Sequence, residues 1–429
     1  MAETFGKILR PLLPETKKIE DLPLAVTSDT KRDPNNTMKV IAWQGKKNLS
    51  VEDMQKPLIT DSKDAIIRVT SVAICGSDLH LYHEEFSGMH SGDVLGHEFM
   101  GIVEDIGIDV KGIKIGQRVV VSAVIACGYC EYCKKEQYSA CDNTNPSKEM
   151  EALIGHRCAG FFGYSHLTGG WQGSQAQFTR VPFADINLLP VPDSVTDEQV
   201  VMLSDIACTA WHAMELGEVK EGQTVALWGC GPVGLIVIMW AKHRGVKRII
   251  AIDHIPKRLE KARELGAETI NYDEQLVIPT MLEICKDGPD VCIDATGFRY
   301  AKETIHKIER LLRLETDATS AITEAIYLVK KFGNISVIGD YYGLTNHFPI
   351  GALFDKGITF RAGVVCVQKY WKLLLKYILD GHIDLTKIIT HILPLEEALL
   401  GYQLFDEQKN DCIKVILKPD IDYFQHKQT

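Results

Sequence analysis

The chain has 429 residues, 45% of them hydrophobic and 24% charged, which excludes a disordered or collagen-like polypeptide and supplies two or three domains. Fifty-seven acidic residues against 47 basic ones leave a net charge of −10, and no long Lys/Arg run offers a face for nucleic acid. The longest apolar run, 235–240, is far below the roughly 20 residues that a membrane span needs, so no membrane partner is expected.

Residues 1–37 read as a polar extension in which Lys7, Arg10, Lys17 and Lys18 alternate with Glu3, Glu15, Glu20 and Asp21. A secretory signal needs an apolar core and a mitochondrial presequence is poor in acids, so the expected compartment is the cytoplasm, with a nuclear share open. The 12 cysteines are then expected to be reduced, with metal ligation the default for clustered ones.

In chain order, 38–43, 65–75, 99–106 and 117–126 are short β-branched and apolar runs broken by Gly, Asp and Lys, and 176–189 continues that texture. From about 205 the pattern changes to alternating strand and helix. Strands are predicted at 224–228, 248–253, 291–295 and 334–338, with helices following the first at 232–243 and the second at 256–265. Such alternation argues for a parallel sheet covered on both faces. The fold expected is α/β: a β-rich domain over 38–206, a parallel-sheet domain over 207–351, and a return segment over 352–422, with a tail at 423–429. The charged stretch 298–331 is longer than a crossover requires, with Ile305, Ile308, Leu311 and Leu312 near helical spacing.

Gly229-Cys230-Gly231-Pro232-Val233-Gly234 is a G-x-G-x-x-G that follows a predicted strand and opens a predicted helix. Gly229 permits the tight turn, Gly231 lets backbone approach a pyrophosphate at the helix N-terminus, and Gly234 allows close helix–strand packing. Asp253, 19 residues after the last glycine, suits the ribose hydroxyls and repels a 2′-phosphate, favouring NAD over NADP. Arg258 and Lys257 lie nearby and weaken that preference, and a solvated helix position accounts equally well for Lys257. A glycine turn without a ligand is the plain alternative for the whole motif.

Cys127-x2-Cys130-x2-Cys133-x7-Cys141 sits in a polar loop. Four thiolates can close a tetrahedron around zinc and leave no open position, so a structural site is expected; an iron–sulfur cluster is the rival. Cys75-Gly76-Ser77-Asp78-Leu79-His80, Gly96-His97-Glu98 and Leu203-Ser204-Asp205 form a second constellation. Cys75, His97 and Asp205 would give sulfur, nitrogen and oxygen ligands with a fourth position open, the arrangement of catalytic zinc, and Glu98 adds a carboxylate beside it. Asp205 could instead cap a helix, and His80 could be a surface histidine. His83 and His90 carry no motif and read as loop residues.

In these motifs, taken in this order, the chain resembles the zinc-containing medium-chain alcohol dehydrogenases from about Met38 to Pro419. The glutathione-independent formaldehyde dehydrogenase branch is the nearer likeness. There the third zinc ligand is an aspartate in a Leu-Ser-Asp-Ile segment, as at Leu203, Ser204, Asp205 and Ile206. Gly169-Gly170-Trp171-x-Gly173-x-Gln175-Ala176 and Val181-Pro182-x-x-Asp185-x-Asn187-Leu188-Leu189 also look like that branch. The resemblance implies a GroES-like catalytic domain split around a Rossmann domain. It also implies zinc ligands Cys75, His97 and Asp205 with Glu98 beside them, Ser77 and His80 in a proton relay, and Thr209 near the nicotinamide. The expected activity is hydride transfer from a small alcohol or aldehyde hydrate to NAD, with one catalytic and one structural Zn²⁺, in a homodimer or homotetramer. A polyol or amino-alcohol dehydrogenase of the same fold and a non-catalytic zinc- and NAD-binding protein are the alternatives. In that branch an insertion placed like 298–331 lies near the adenine end of the cofactor. A cover that slows NAD release and a surface or oligomer elaboration are both open for it. Trp171, Phe161, Phe162 and Tyr164 are open between pocket wall and packing.

Overall fold

The computed structural model describes residues 27–297, 317–341, 343 and 345–419. The chain forms two compact units, one of Met1–Cys208 with Cys366–Thr429, the other of Thr209–Val365.

The first unit is built on a seven-stranded sheet in the order Leu188–Pro190, Arg118–Val121, Glu98–Ile106, Ala65–Ile74, Val415–Lys418, His391–Pro394, with Phe178–Val181 also paired to Ala65–Ile74. Ala65–Ile74 is rich in β-branched residues and buried at eight of its ten positions, as a central strand covered on both faces should be. A smaller sheet joins Asn48–Pro57, Arg32–Gly45 and Asp93–Val94. Arg32–Gly45 starts inside the expected 1–37 extension, since Arg32 and Thr37 already pair with Pro57 and Gln55. The run 176–189 is broken in two, because Pro182 cannot donate to a ladder and Phe183 follows it at φ 47°. A helical turn, Ala184–Asn187, then separates Phe178–Val181 from Leu188–Pro190.

The second unit is a six-stranded parallel sheet in the order Glu268–Asn271, Arg248–Asp253, Thr224–Trp228, Val291–Asp294, Asn334–Val337, Thr359–Ala362. Numbered within the unit, that is 3-2-1-4-5-6, the doubly wound Rossmann order. Helix Pro232–His243 follows the first strand and Pro256–Glu264 the second. Val225, Ala226, Leu227 and Trp228 are all fully buried, because helices cover both faces of the sheet.

The return to the first unit falls at Cys366 rather than at 352. The intervening residues form helix Ile350–Asp355 and strand Thr359–Ala362, which pairs in parallel with Asn334–Val337 and so belongs to the Rossmann sheet. Of the long stretch 298–331, residues 298–316 lie outside the described residues, and Ile305, Ile308, Leu311 and Leu312 with them. Its end is an ordinary crossover helix, Ser320–Leu328, which buries Ala321, Ile322, Ala325 and Ile326 in the sheet's core. All 12 cysteines are free thiols, and among the described residues no helix is long and apolar enough to cross a membrane.

Candidate active site and metal centres

In the first unit, Cys75 ends the Ala65–Ile74 strand and caps helix Gly76–Tyr82. Its backbone N–H donates to Asp78 Oδ2 at 2.8 Å, so the acid three positions on holds the turn that presents the thiol. His97 and Glu98 open the neighbouring strand, which brings them alongside, with Ala73 paired to Glu98. Asp205 follows the short 3₁₀ turn Val201–Ser204 in a non-helical conformation. That turn is braced by Ala123 N–H to Ser204 O (2.9 Å) and by Trp371 Nε1 to Leu203 O (2.8 Å).

One ligand atom from each of Cys75, His97, Glu98 and Asp205 falls within 4.8 Å of the others. His97 Nε2 lies 3.5 Å from Asp205 Oδ2 and 3.2 Å from Ser77 Oγ, and Nδ1 lies 3.3 Å from Asp78 Oδ1. Two acids therefore steer one fully buried imidazole from its two sides. Burial and the Glu98 charge push the Cys75 thiol up to about 11. Burial alone would lower the His97 imidazole, but the Asp78 carboxylate and Cys75 raise it well above its ordinary range. Glu98 Oε1 accepts from Lys414 Nζ at 2.8 Å, with both side chains fully buried, while Glu98 Oε2 is buried without a hydrogen bond. A soft sulfur, an imidazole and an unsatisfied carboxylate oxygen at one point form a donor set that suits a borderline cation such as zinc. The protons held by Cys75 and His97 are the ones such a cation displaces.

His80 is 7% exposed and sits in the last turn of Gly76–Tyr82, with Nδ1 2.6 Å from Glu85 Oε2. The four aromatic residues divide. Trp171 donates to Thr144 O and packs on Phe162, so these two are core. Phe161 and Tyr164 instead face His97, at 5.0 and 6.3 Å between ring centres.

The four-cysteine loop lies in the same unit. Cys127 Sγ is 3.9 Å from Cys133 Sγ, and Cys130 Sγ is 4.0 Å from Cys141 Sγ. A tetrahedron with metal–sulfur bonds of ~2.3 Å has edges of about 3.8 Å. A polynuclear cluster would place its own atoms between the sulfurs and spread them, so the spacing fits a single ion. Backbone N–H groups of Tyr129, Cys130 and Cys133 and the Asn143 amide all donate to sulfur. Hydrogen bonds from its neighbours lower the Cys127 thiol, and the hydrogen bonds that Cys141 and Cys133 make to it push them up, Cys141 to about 12 and Cys133 higher still. Four thiols this close cannot all ionise without a cation among them.

In the second unit, Gly229 turns the chain at φ +95°, and a Cβ on Gly234 would stand 1.9 Å from Gly229 O. Gly231 differs: a Cβ there meets only Arg258 Nη1, at 4.0 Å, so open space lies over this part of the loop. Pro232 is the first residue of helix Pro232–His243, with Val233 next. Asp253 Oδ2 accepts from Cys230 N–H at 2.7 Å, and Oδ1 accepts from His254 N–H. The acid thus clamps the glycine turn to the end of the second strand. Thr209 lies in the first turn of helix Ile206–Leu216, where the unit begins. Glycines that forbid a side chain on one side and leave an open cradle on the other fit a bound dinucleotide.

Sequence reasoning did not single out Asp78, Glu85 or Lys414. Asp78 had a signal, an acid three residues after a capping position. Lys414 had one too, a lone charge in the apolar run 412–417. Glu85 had none.

This architecture and these side chains define a zinc-binding dehydrogenase. The alcohol dehydrogenase GroES-like domain matches residues 61–193, and the zinc-binding dehydrogenase domain matches residues 232–314. A zinc-type alcohol dehydrogenase-like protein of Schizosaccharomyces pombe is 39% identical over 393 residues, covering 91% of this chain and 93% of that protein. A glutathione-independent formaldehyde dehydrogenase of Pseudomonas aeruginosa is 29% identical over 390 residues, covering 85% and 94%. The solved structure of the alcohol dehydrogenase TADH from Thermus sp. ATN1 matches with TM-score 0.77 at 33% identity, over 89% of this chain and 99% of that one. The chain belongs to the zinc-type alcohol dehydrogenase family and is an oxidoreductase of that kind.

Proposed function

We propose that the chain oxidises a small alcohol, or an aldehyde in its hydrated form, with NAD as hydride acceptor. The observation that carries this reading is the convergence of Cys75, His97, Glu98 and Asp205 on one point. When bound, zinc supplies a Lewis acid that lowers the pKa of the substrate hydroxyl, and NAD supplies the hydride acceptor.

Cys75, His97 and Asp205 would hold the zinc. Asp78 orients His97 through Nδ1, the ring nitrogen opposite the one that faces Asp205, as outer carboxylates do for ligating imidazoles. Lys414 neutralises Glu98, so a bound zinc would be held by two anionic ligands, Cys75 and Asp205, and a neutral ring. Ser77 Oγ would accept the hydroxyl proton as it releases its own, and His80, held by Glu85, is the outer station from which a proton leaves to water. Phe161 and Tyr164 wall this side of His97 and restrict the substrate to a small one.

Gly229, Gly231, Pro232, Val233 and Gly234 hold the dinucleotide, with Arg258 at the diphosphate, Asp253 at the adenine ribose and Thr209 near the nicotinamide. Arg258 suits that role because it lies beside Gly231 and its Nε is buried without a partner. The four-cysteine loop holds a second, structural zinc. We assign the protein to the cytoplasm as a homodimer or homotetramer, to be read from fractionation and sedimentation.

The test is NADH formation across simple alcohols, formaldehyde, sorbitol and threonine, with and without glutathione. Turnover of formaldehyde or a simple alcohol without glutathione is the expected result. Turnover confined to sorbitol or threonine would move the assignment to polyol or amino-alcohol oxidation. Bound NAD and zinc with no turnover at all would overturn it.

A further inference from the structure

His83 and His90, alike in sequence as histidines without a motif, part company in the structure. His83 Nε2 pairs with Asp406 at 2.7 Å. His90 lies instead against His166, 76 positions on, with ring centres 4.1 Å apart and planes inclined at 36°. Asp93 serves both: its Oδ1 is 3.1 Å from His166 Nε2, and its Oδ2 accepts from the His90 backbone N–H at 2.7 Å. One ligand atom from each of the three residues falls within 4.8 Å of the other two.

Backbone contacts that need no ligand hold this group together. Asp93 N–H donates to His90 O at 3.0 Å, closing a turn, and Asp93 then pairs with Trp43 in the small sheet. His166 N–H donates to Gly88 O at 2.8 Å, which ties the turn His166–Thr168 to the 88–93 loop. Gly170, at φ +65°, leaves room for the ring, since a Cβ there would stand 2.6 Å from His166 Nδ1. The donors are therefore placed before anything binds, and the ordering cost of binding is small.

The chemistry of the group is that of a cation site. Two imidazoles this close repel if both are protonated, and one carboxylate neutralises only one of them. Two imidazole nitrogens and a carboxylate oxygen are the donors that zinc, nickel and copper take, with bonds of about 2.0–2.2 Å. Ligand atoms around a tetrahedral ion with such bonds stand roughly 3.3–3.6 Å apart, so small side-chain adjustments close the present spacing. His90 and His166 are exposed and Asp93 is half-buried, which leaves water to complete the coordination.

We propose that His90, Asp93 and His166 form a third cation site, at the surface of the first unit, for a divalent ion of the zinc class. It shares no residue with the two centres described above and does not depend on the reaction assigned to them. A bound ion would tie the loop that carries Glu85 and Phe86 to the turn beside Tyr164. Those side chains already meet, Phe86 lying 5.5 Å from Tyr164 and 5.7 Å from His80.

The test is calorimetric titration of Zn²⁺ into the full chain after metal analysis of the ions it retains. One further equivalent should bind to the native chain. His90→Ala and His166→Ala should each weaken that step by at least about tenfold, the low end of what loss of even an outer-shell partner costs. Asp93→Asn, which keeps an oxygen for the His90 amide, guards against local unfolding and should weaken it as well. His156→Ala, at an exposed histidine outside the cluster, should change nothing. A native titration without the extra equivalent would overturn the site. So would an equivalent unchanged in His166→Ala and Asp93→Asn chains whose circular dichroism melts match the native one.

Discussion

The four cysteines of the 127–141 loop lie within 14 positions of one another, whereas Cys75 and Asp205 stand 130 apart. The loop makes its centre from its own backbone, whose amide groups point at the sulfurs and favour thiolate. The dispersed centre needs a strand end, a neighbouring strand, a 3₁₀ turn and, through Lys414, the last strand of the unit. Four equal donors close a site; unlike donors brought from afar can leave one position open. On the function proposed above, the first arrangement is a staple and the second a reaction centre, so damage to each should be read on a different instrument.

Breaking the staple should have the largest effect. Cys130→Ser is expected to lose one zinc per chain and several kcal/mol of stability, a fall of roughly 10 °C or more in the thermal midpoint. A metal analysis still showing the native zinc content would refute the structural assignment, and iron with acid-labile sulfide would change its chemistry. His97→Ala should lose only the other ion. Its kcat/KM should fall at least about a thousandfold, roughly 4 kcal/mol, with the melt nearly unchanged. A melt that collapses with the activity would erase the contrast between the two centres.

Lys414→Met sharpens the comparison, because it asks what the dispersed centre costs the fold. It leaves the Glu98 carboxylate buried and unpaired, at about 3 kcal/mol or more of stability, and Glu98→Gln added to it should restore part of that loss. Equal melts for the single and double variants would remove the pairing argument. Asp253→Ser should have the smallest effect. Native protein should prefer NAD to NADP by at least about tenfold, about 1.4 kcal/mol, and the variant should narrow the gap in steady-state kinetics. Equal use of both cofactors by the native chain would show that Asp253 only clamps the glycine turn.

What could be read in the sequence follows the same division. The cysteine loop and the Gly229 turn are local, so spacing alone displays them. The strand–helix alternation gave the parallel sheet, yet its last strand, Thr359–Ala362, went unread because its four residues are only partly buried and carry an arginine. Cys75, His97 and Asp205 were joined by the chemistry of their donor atoms and then by a family likeness, since no periodicity connects positions 22 and 130 apart. Asp78, Glu85 and Lys414 act through partners that the fold supplies. The meeting of His90 with His166 depends on a backbone bond to Gly88 that no motif marks.

The pairing of Glu98 with Lys414 also sets a timetable. The two residues are 316 positions apart, with the whole Rossmann unit between them in the sequence. A ribosome adding about 5–20 residues per second takes roughly 15–60 s to cross that interval. Throughout it, the Val72–Ile74 end of the Ala65–Ile74 strand has no Val415–Lys418 beside it and offers a short bare edge to any neighbouring nascent chain. The second unit is complete in sequence before the first can close. Newly made protein should therefore need shelter by chaperones late in synthesis, and chains cut short before residue 414 should aggregate rather than persist as half-active forms.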